Sequence, residues 1–249
     1  MAISWEDQGI ILAARRFGEH DAIVTLLTEN QGRHAGIVKG GSGKRGRGIL
    51  QPGNLVKAWW RARLDEHLGT FTLEGLRPFA ADAMASASVL TGLSALCSMA
   101  EATLPEREPH AAIYRQTLHL LEHLGVPGWE AEYVQWELAL LRDMGYGLDL
   151  TVCAATGVKD DLAYVSPRTG RAVCRAAAEP YVPRLLALPA FLCADRGDDD
   201  VGATQIAQGL ALTAHFFEAH VFRPHRQQIP ASRARFASRF SDAPKAPIC

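Results

Sequence analysis

The sequence predicts an α+β protein: a small five-stranded N-terminal barrel, then an α-helical domain interrupted by a short cysteine-bearing segment. Three observations carry this. Five short β-branched or aromatic runs, separated by turn residues, fill the first eighty residues. After Pro78 the composition turns to Ala and Leu at helical spacing. Further on, residues 148–178 hold Cys153 and Cys174 where a zinc ribbon has its outer ligands, but Thr156 and Ala177 stand at the other two ligand positions.

The elements follow in order. Residues 9–17 are apolar and then basic, and 22–28 (AIVTLLT) are rich in β-branched side chains. The turn at 29–32 leads to 34–39 (HAGIVK), which makes a hairpin with a Gly-containing connection. GGSGKRGRG, 40–48, reads as a glycine-rich loop. Residues 54–63 (NLVKAWWRAR), a turn at 64–67 and 69–77 (GTFTLEGLR) complete five strands, a count that fits a closed barrel such as an OB-fold. This barrel domain is placed at 1–79 and the helical domain at 80–241. Leu90, Leu93, Cys97, Ala100 and Leu104 share one face of the first long helix. Pro109 opens a second helix that runs to Gly125, and Pro127 opens a third. In the third, Trp129, Tyr133, Trp136, Leu140 and Met144 form a stripe that reads as core packing and not as a base-stacking platform. Residues 204–222 are again helical, and 242–249 are expected to be a disordered tail.

Composition narrows the function. No run approaches 18 apolar residues, and MAISWEDQGI lacks the basic and apolar regions of a secretory signal, so neither a membrane span nor export is expected. Five scattered cysteines fit a reducing cytosol better than a disulfide framework. The net charge of −1 hides a segregation of signs. Residues 33–63 carry eight Lys/Arg and no acid, 81–220 carry nine basic and eighteen acidic side chains, and 221–240 carry five arginines and no acid. Such segregation points to a polyanionic partner. Lys44, Arg45 and Arg47 in the glycine-rich stretch, and Lys57, Arg61 and Arg63 around Trp59 and Trp60, combine phosphate neutralisation with rings that stack bases. Because strand side chains alternate, one of the two tryptophans faces the core and the other faces out.

Three catalytic readings fall away or weaken. Gly43-Lys44 is followed by Arg45, so the hydroxyl that holds magnesium in a phosphate-binding loop is missing. His119-Leu-Leu-Glu122-His123 matches H-x-x-E-H, and two histidines one helical turn apart could share a metal in a metal-dependent hydrolase. That pattern recurs by chance and has no third ligand at a telling spacing, so it is the weaker alternative. No nucleophile elbow is present. With two of four ribbon ligands gone, Cys153 and Cys174 read as remnants of a site that no longer holds metal. No catalytic residue, metal or cofactor is expected.

FGEHDAIVTLLTENQGR (17–33), VKGG (38–41), LQPGN (50–54), YVQWELALLRDMGYGLDL (133–150) and CAATGVKDDLAYVSPRTGRAV (153–173) together resemble the RecO family of bacterial recombination mediators. The match continues in the same order to about residue 240. The resemblance implies an N-terminal OB-fold, a helical domain and, in some members, a four-cysteine zinc module from which Thr156 and Ala177 depart. It implies a cytoplasmic, nucleoid-associated protein without turnover. Such a protein binds single- and double-stranded DNA, anneals complementary strands and, with RecR, helps RecA filaments load onto DNA coated by the single-strand-binding protein SSB. The acidic C-terminal tail of SSB is expected on the helical domain. The implied DNA surface adds Arg15, Arg16 and Lys39 to the basic residues above. It extends less directly to Arg223, Arg226, Arg233 and Arg235.

Overall fold

The computed structural model describes residues 3–193 and 201–241, so the expected tail at 242–249 lies outside the described residues. The chain forms two compact units that meet between Gly125 and Val126. In the first, β1 (Ile3–Phe17), β2 (Asp21–Thr28), β3 (Gly32–Val38), β4 (Leu55–Ala62) and β5 (Thr70–Arg77) close a barrel in the order β1-β2-β3-β5-β4, as a five-stranded OB-type barrel requires. The long β1 makes closure work. Its first half pairs with β4, from Ile3↔Ala62 to Ile10↔Leu55, and its second half with β2, out to Phe17↔Asp21. A bulge between Ile11 and Ala13 bends the strand from one partner to the other.

This strand starts six residues before the expected position 9. Ser4, Glu6 and Gln8 face outward, so the polar half of the alternation hides it from a hydrophobicity reading. The interior is filled by Ile11, Val24, Leu26, Val56, Ala58, Trp60 and Phe71. Gly69, at φ 65 in the β4–β5 turn, lies against the Trp60 ring, and a Cβ there would sit 2.5 Å from the indole. Trp60 donates its indole N–H to Leu68 O at 3.1 Å, which satisfies its one polar atom inside the core.

The glycine-rich stretch is not a free loop. It contains a short helix, α1 (Lys44–Ile49), between β3 and β4. Glycine disfavours helix, so tertiary anchors decide here. Gly46 packs so closely on Gly41 that a Cβ would lie 2.3 Å from its carbonyl oxygen. Asn54 Nδ2 donates to Gly48 O at 3.1 Å and Ile49 O at 3.0 Å, capping carbonyls at the helix end. Leu50 then enters the barrel core.

Helices α2 (Phe79–Ala83), α3 (Ala87–Thr103) and α4 (Ala111–His123) complete this unit. The Cys97 thiol lies 3.8 Å from Ile11 O, and Arg33 Nε donates to Leu104 O at 2.6 Å, so α3 is tied to the barrel at its middle and at its C-terminal end. Leu93, Cys97, Ala100 and Leu104 are buried as expected, whereas Leu90 is 40% exposed. Its place on the buried face is taken by Val89, one helical turn before Leu93.

The second unit holds α5 (Trp129–Asp143), then β6 (Leu162–Val165), β7 (Ala172–Cys174), α6 (Arg175–Ala178) and β8 (Leu186–Ala187). The three strands form a small sheet in the order β7-β6-β8. α7 (Ala203–Phe216) runs into a π-helical turn at Phe217–Phe222, and α8 (Ala231–Ser238) follows. Trp129, Tyr133, Trp136 and Leu140 are buried, so the aromatic stripe is core, and Met144 is half-buried just past the helix. Arg233 of α8 overturns an expectation. It is buried and makes a two-pronged pair with Glu137 of α5, Nε to Oε1 at 3.0 Å and NH2 to Oε2 at 2.9 Å. The Thr213 and Tyr133 hydroxyls complete the shell around Glu137. Arg233 is therefore a bolt within this unit and not a DNA contact.

Candidate nucleic-acid interface

The register of β1, β4 and β5 sets three cross-strand rows on the outer barrel face: Ser4–Arg61–Thr70, Glu6–Trp59–Thr72 and Gln8–Lys57–Glu74. Along β4, Val56, Ala58, Trp60 and Ala62 point inward, and Lys57, Trp59 and Arg61 point outward. Trp60 is only 1% exposed and has no face to offer a base, so of the two candidates Trp59 alone belongs to the surface. Trp59 stands in a recess of about 830 Å3 whose walls include Lys39, Arg61 and Thr72. The recess continues past Trp59 and Lys39 to Gly46 and Ile49 of α1. In the other direction it passes Arg61 and Thr70 to Arg63 and His67 at the β4–β5 turn. The outcome is one groove along the outside of β4 and β5.

The basic charges of this unit are not all free. Arg15, Arg47, Arg61 and Arg63 are exposed and have no acidic partner among the described residues. Arg16 donates to the Glu19 carbonyl at 3.0 Å, a neutral partner that leaves its charge uncompensated. Lys39, in contrast, pairs with Asp21 at 2.8 Å, and Lys57 with Glu6 at 2.7 Å. The hydrogen bond from Lys39, backed by the Gly40 N–H, holds the Asp21 carboxyl below its ordinary range. Hydrogen bonds from Lys57 and Trp59 do the same for Glu6, and Glu6 in turn raises the Lys57 ammonium. Ser42 N donates to His20 O at 2.9 Å, tying the 40–43 turn to the β1–β2 turn, so Arg16, Lys39 and the start of α1 share one rim. Lys44 and Arg45 head α1, but their side chains lie outside the described residues.

The sequence reading missed Glu6 and Asp21, which bring acids to a stretch that carries none of its own. Their only signal is strand alternation, which places them outward but does not name their neighbours. In the second unit, Arg223, Arg226 and Arg235 are exposed and without an acidic partner among the described residues. Within the first unit, the hydrolase motif's own glutamate is not brought to its two histidines. The His119 and His123 rings meet edge-on at 4.0 Å on α4, and the Glu122 carboxylate is turned to Arg77 at 4.0 Å.

Cys153 and Cys174 do come together. The Cys174 N–H donates to Cys153 Sγ at 3.2 Å, and Thr156 Oγ1 lies 3.6 Å from Cys174 Sγ. Burial works to raise the Cys153 pKa, but the Cys174 N–H, the Thr156 hydroxyl and the N–H groups of Ala155 and Thr156 lower it to about 6. The residues do not fit a zinc ion: a hydroxyl that already contacts a thiol, and an alanine, stand where two thiolates would be needed.

Two family models match the chain, Recombination protein O N terminal over residues 1–79 and Recombination protein O C terminal over residues 85–229. Among curated relatives, the DNA repair protein RecO of Rhodospirillum centenum is 49% identical over 243 residues, covering 97% of this chain and 96% of the relative. The Rhodospirillum rubrum protein of the same name is 48% identical over 243 residues, covering 95% and 96%. That of Afipia carboxidovorans is 48% identical over 236 residues, covering 94% of each. No helix among the described residues is long and apolar enough to cross a membrane.

Proposed function

Since the chain belongs to the RecO family of DNA repair proteins, we propose that its barrel groove serves repair by binding single-stranded DNA and holding it for annealing. The observation that carries this is the outward Trp59, set in a groove between Lys39 and Arg61 with the Lys57 ammonium over its ring. A single strand needs cations at phosphate spacing and a ring for a base, and the groove supplies both. Pairing two complementary strands requires that phosphate repulsion be neutralised without hiding the base edges. Basic side chains along the wall meet phosphates and read no sequence, so any pair of complements can be served. The work is binding without turnover. Double-stranded DNA engages the exposed Arg15, Arg16, Arg47 and Arg63 of the first unit, and Arg223 and Arg226 supply further cations on the second unit.

The resemblance further assigns this protein a role with RecR in exchanging SSB for RecA. The second unit offers the acidic SSB tail a place. A groove of about 490 Å3 is walled by Leu138, Leu148, Leu150, Phe191 and Leu192, and Arg142 is exposed at its edge. Asp149, which shares that groove, is already held by Arg171 at 3.5 Å, so the local charge facing a peptide is that of Arg142. An apolar slot with one cation suits a peptide that ends in an apolar residue and a carboxylate. The test of the whole reading is annealing of complementary strands precoated with SSB. Faster annealing with the protein supports it, and a rate equal to that of the protein-free mixture counts against it.

A further inference from the structure

The outer face of β1 and β4 carries a closed charge arrangement around Trp59. Glu6 spends both oxygens inside it: Oε1 accepts from Lys57 at 2.7 Å, and Oε2 accepts from the Trp59 indole N–H at 2.7 Å. Lys57 also stands over the Trp59 ring, 4.9 Å from its centroid. Without DNA, therefore, one face of the indole is covered by an ammonium group, and that ammonium is neutralised by a carboxylate. Register makes the arrangement firm, because Glu6 is directly cross-strand from Trp59 and Gln8 from Lys57.

We propose that Glu6 is a gating residue that withholds Lys57 and the Trp59 face from double-stranded DNA and yields both to a single strand. The inference rests on the groove being the DNA site. A phosphate that takes Lys57 must break its pair with Glu6 and lift it from the indole, losing an ion pair and a cation–π contact together. An unpaired base can then cover the uncovered ring, and stacking replaces what was lost. A duplex offers phosphates, but its bases are paired and stacked, so the ring stays bare and the exchange is only half compensated. Duplex binding thus leaves Lys57 on Glu6, and single-strand binding recruits it. Glu74, cross-strand from Lys57, adds a weaker pull in the same direction.

Glu6→Gln tests this, because the amide oxygen still accepts the Trp59 N–H while the charge that holds Lys57 is gone. Binding to an oligothymidine and to a duplex of equal length would be titrated with salt. One further phosphate contact on the duplex should steepen its slope by about 0.9, whereas the single-strand slope stays near that of the wild type, having included Lys57 already. Affinity for both DNAs should rise, and the single strand should gain at least as much as the duplex, because in the wild type it alone bears the cost of breaking the Glu6 pair. An unmoved duplex slope, or an equal steepening on both DNAs, overturns the inference. Trp59→Ala separates this from failure of the groove itself: wild-type single-strand affinity in that variant overturns both readings. Weakened single-strand binding there, beside an unmoved duplex slope in Glu6→Gln, overturns only the role of Glu6.

Discussion

Trp59 and Trp60 are neighbours of identical chemistry with opposite tasks, set by strand alternation and by Gly69, which makes room for only the inner ring. Replacing Trp59 by Ala should cost about 1–3 kcal/mol in single-strand affinity and leave the melting temperature nearly unchanged. Replacing Trp60 by Ala should instead cost about 3–5 kcal/mol in stability, read by denaturant unfolding, because it empties the barrel core. Cys153 makes a second prediction at this scale. A thiol whose folded pKa is lowered to about 6 stabilises the fold as a thiolate. That contribution is fully present above the ordinary thiol pKa, fades as pH falls toward 6, and is absent below it. Wild-type stability should therefore rise between pH 6 and 9 more steeply than that of Cys153→Ser, and parallel profiles would show that the donors around Cys153 do not hold a thiolate. Elemental analysis of the purified protein should find far less than one zinc per chain.

At the scale of elements, the sequence announced most strands and helices through period and turn chemistry, but it concealed two features fixed by distant partners. α1 forms from a glycine-rich stretch of low helix propensity because Gly41, Asn54 and Leu50 anchor it. No local pattern encodes those contacts. Gly46→Val should clash with the Gly41 backbone, detach α1 and weaken DNA binding more than its small change in chemistry implies, measurable as faster amide exchange across residues 41–50. Arg233 likewise stood among arginines that the family resemblance extends toward DNA, and only the fold shows it on Glu137. Arg233→Ala should destabilise the protein by about 3–5 kcal/mol, since it leaves Glu137 buried and unpaired. Arg235→Ala, on the exposed side of the same helix, should stay close to wild type in the same unfolding measurement.

Over the whole molecule, the α+β class, the barrel-first order and the aromatic core of the helical region were legible because hydrophobic period survives in a single sequence. The family was legible from short blocks with unusual residues. The site was legible only in outline. An acid-free run along the chain is not an acid-free surface, since β1 and β2 bring Glu6 and Asp21 against Lys57 and Lys39. Pairing across strands decides which charges remain uncompensated, and that pairing is not local. On the proposed placement of the SSB tail on the second unit, Arg142→Glu should abolish capture of an acidic SSB tail peptide while single-strand binding persists, as followed by calorimetry. The claim on which the rest depends is that the groove from Arg63 to α1 is where DNA lies. A fluorescence-anisotropy salt titration on an oligothymidine tests it most directly, comparing wild type with the triple variant Lys44→Glu, Arg45→Glu, Arg47→Glu. Each lost phosphate contact should lower the salt slope by about 0.7, and binding should weaken for any sequence, while thermal stability barely moves. Superimposable titration curves for the two proteins would contradict it, and would move the DNA surface to the exposed arginines after Val221.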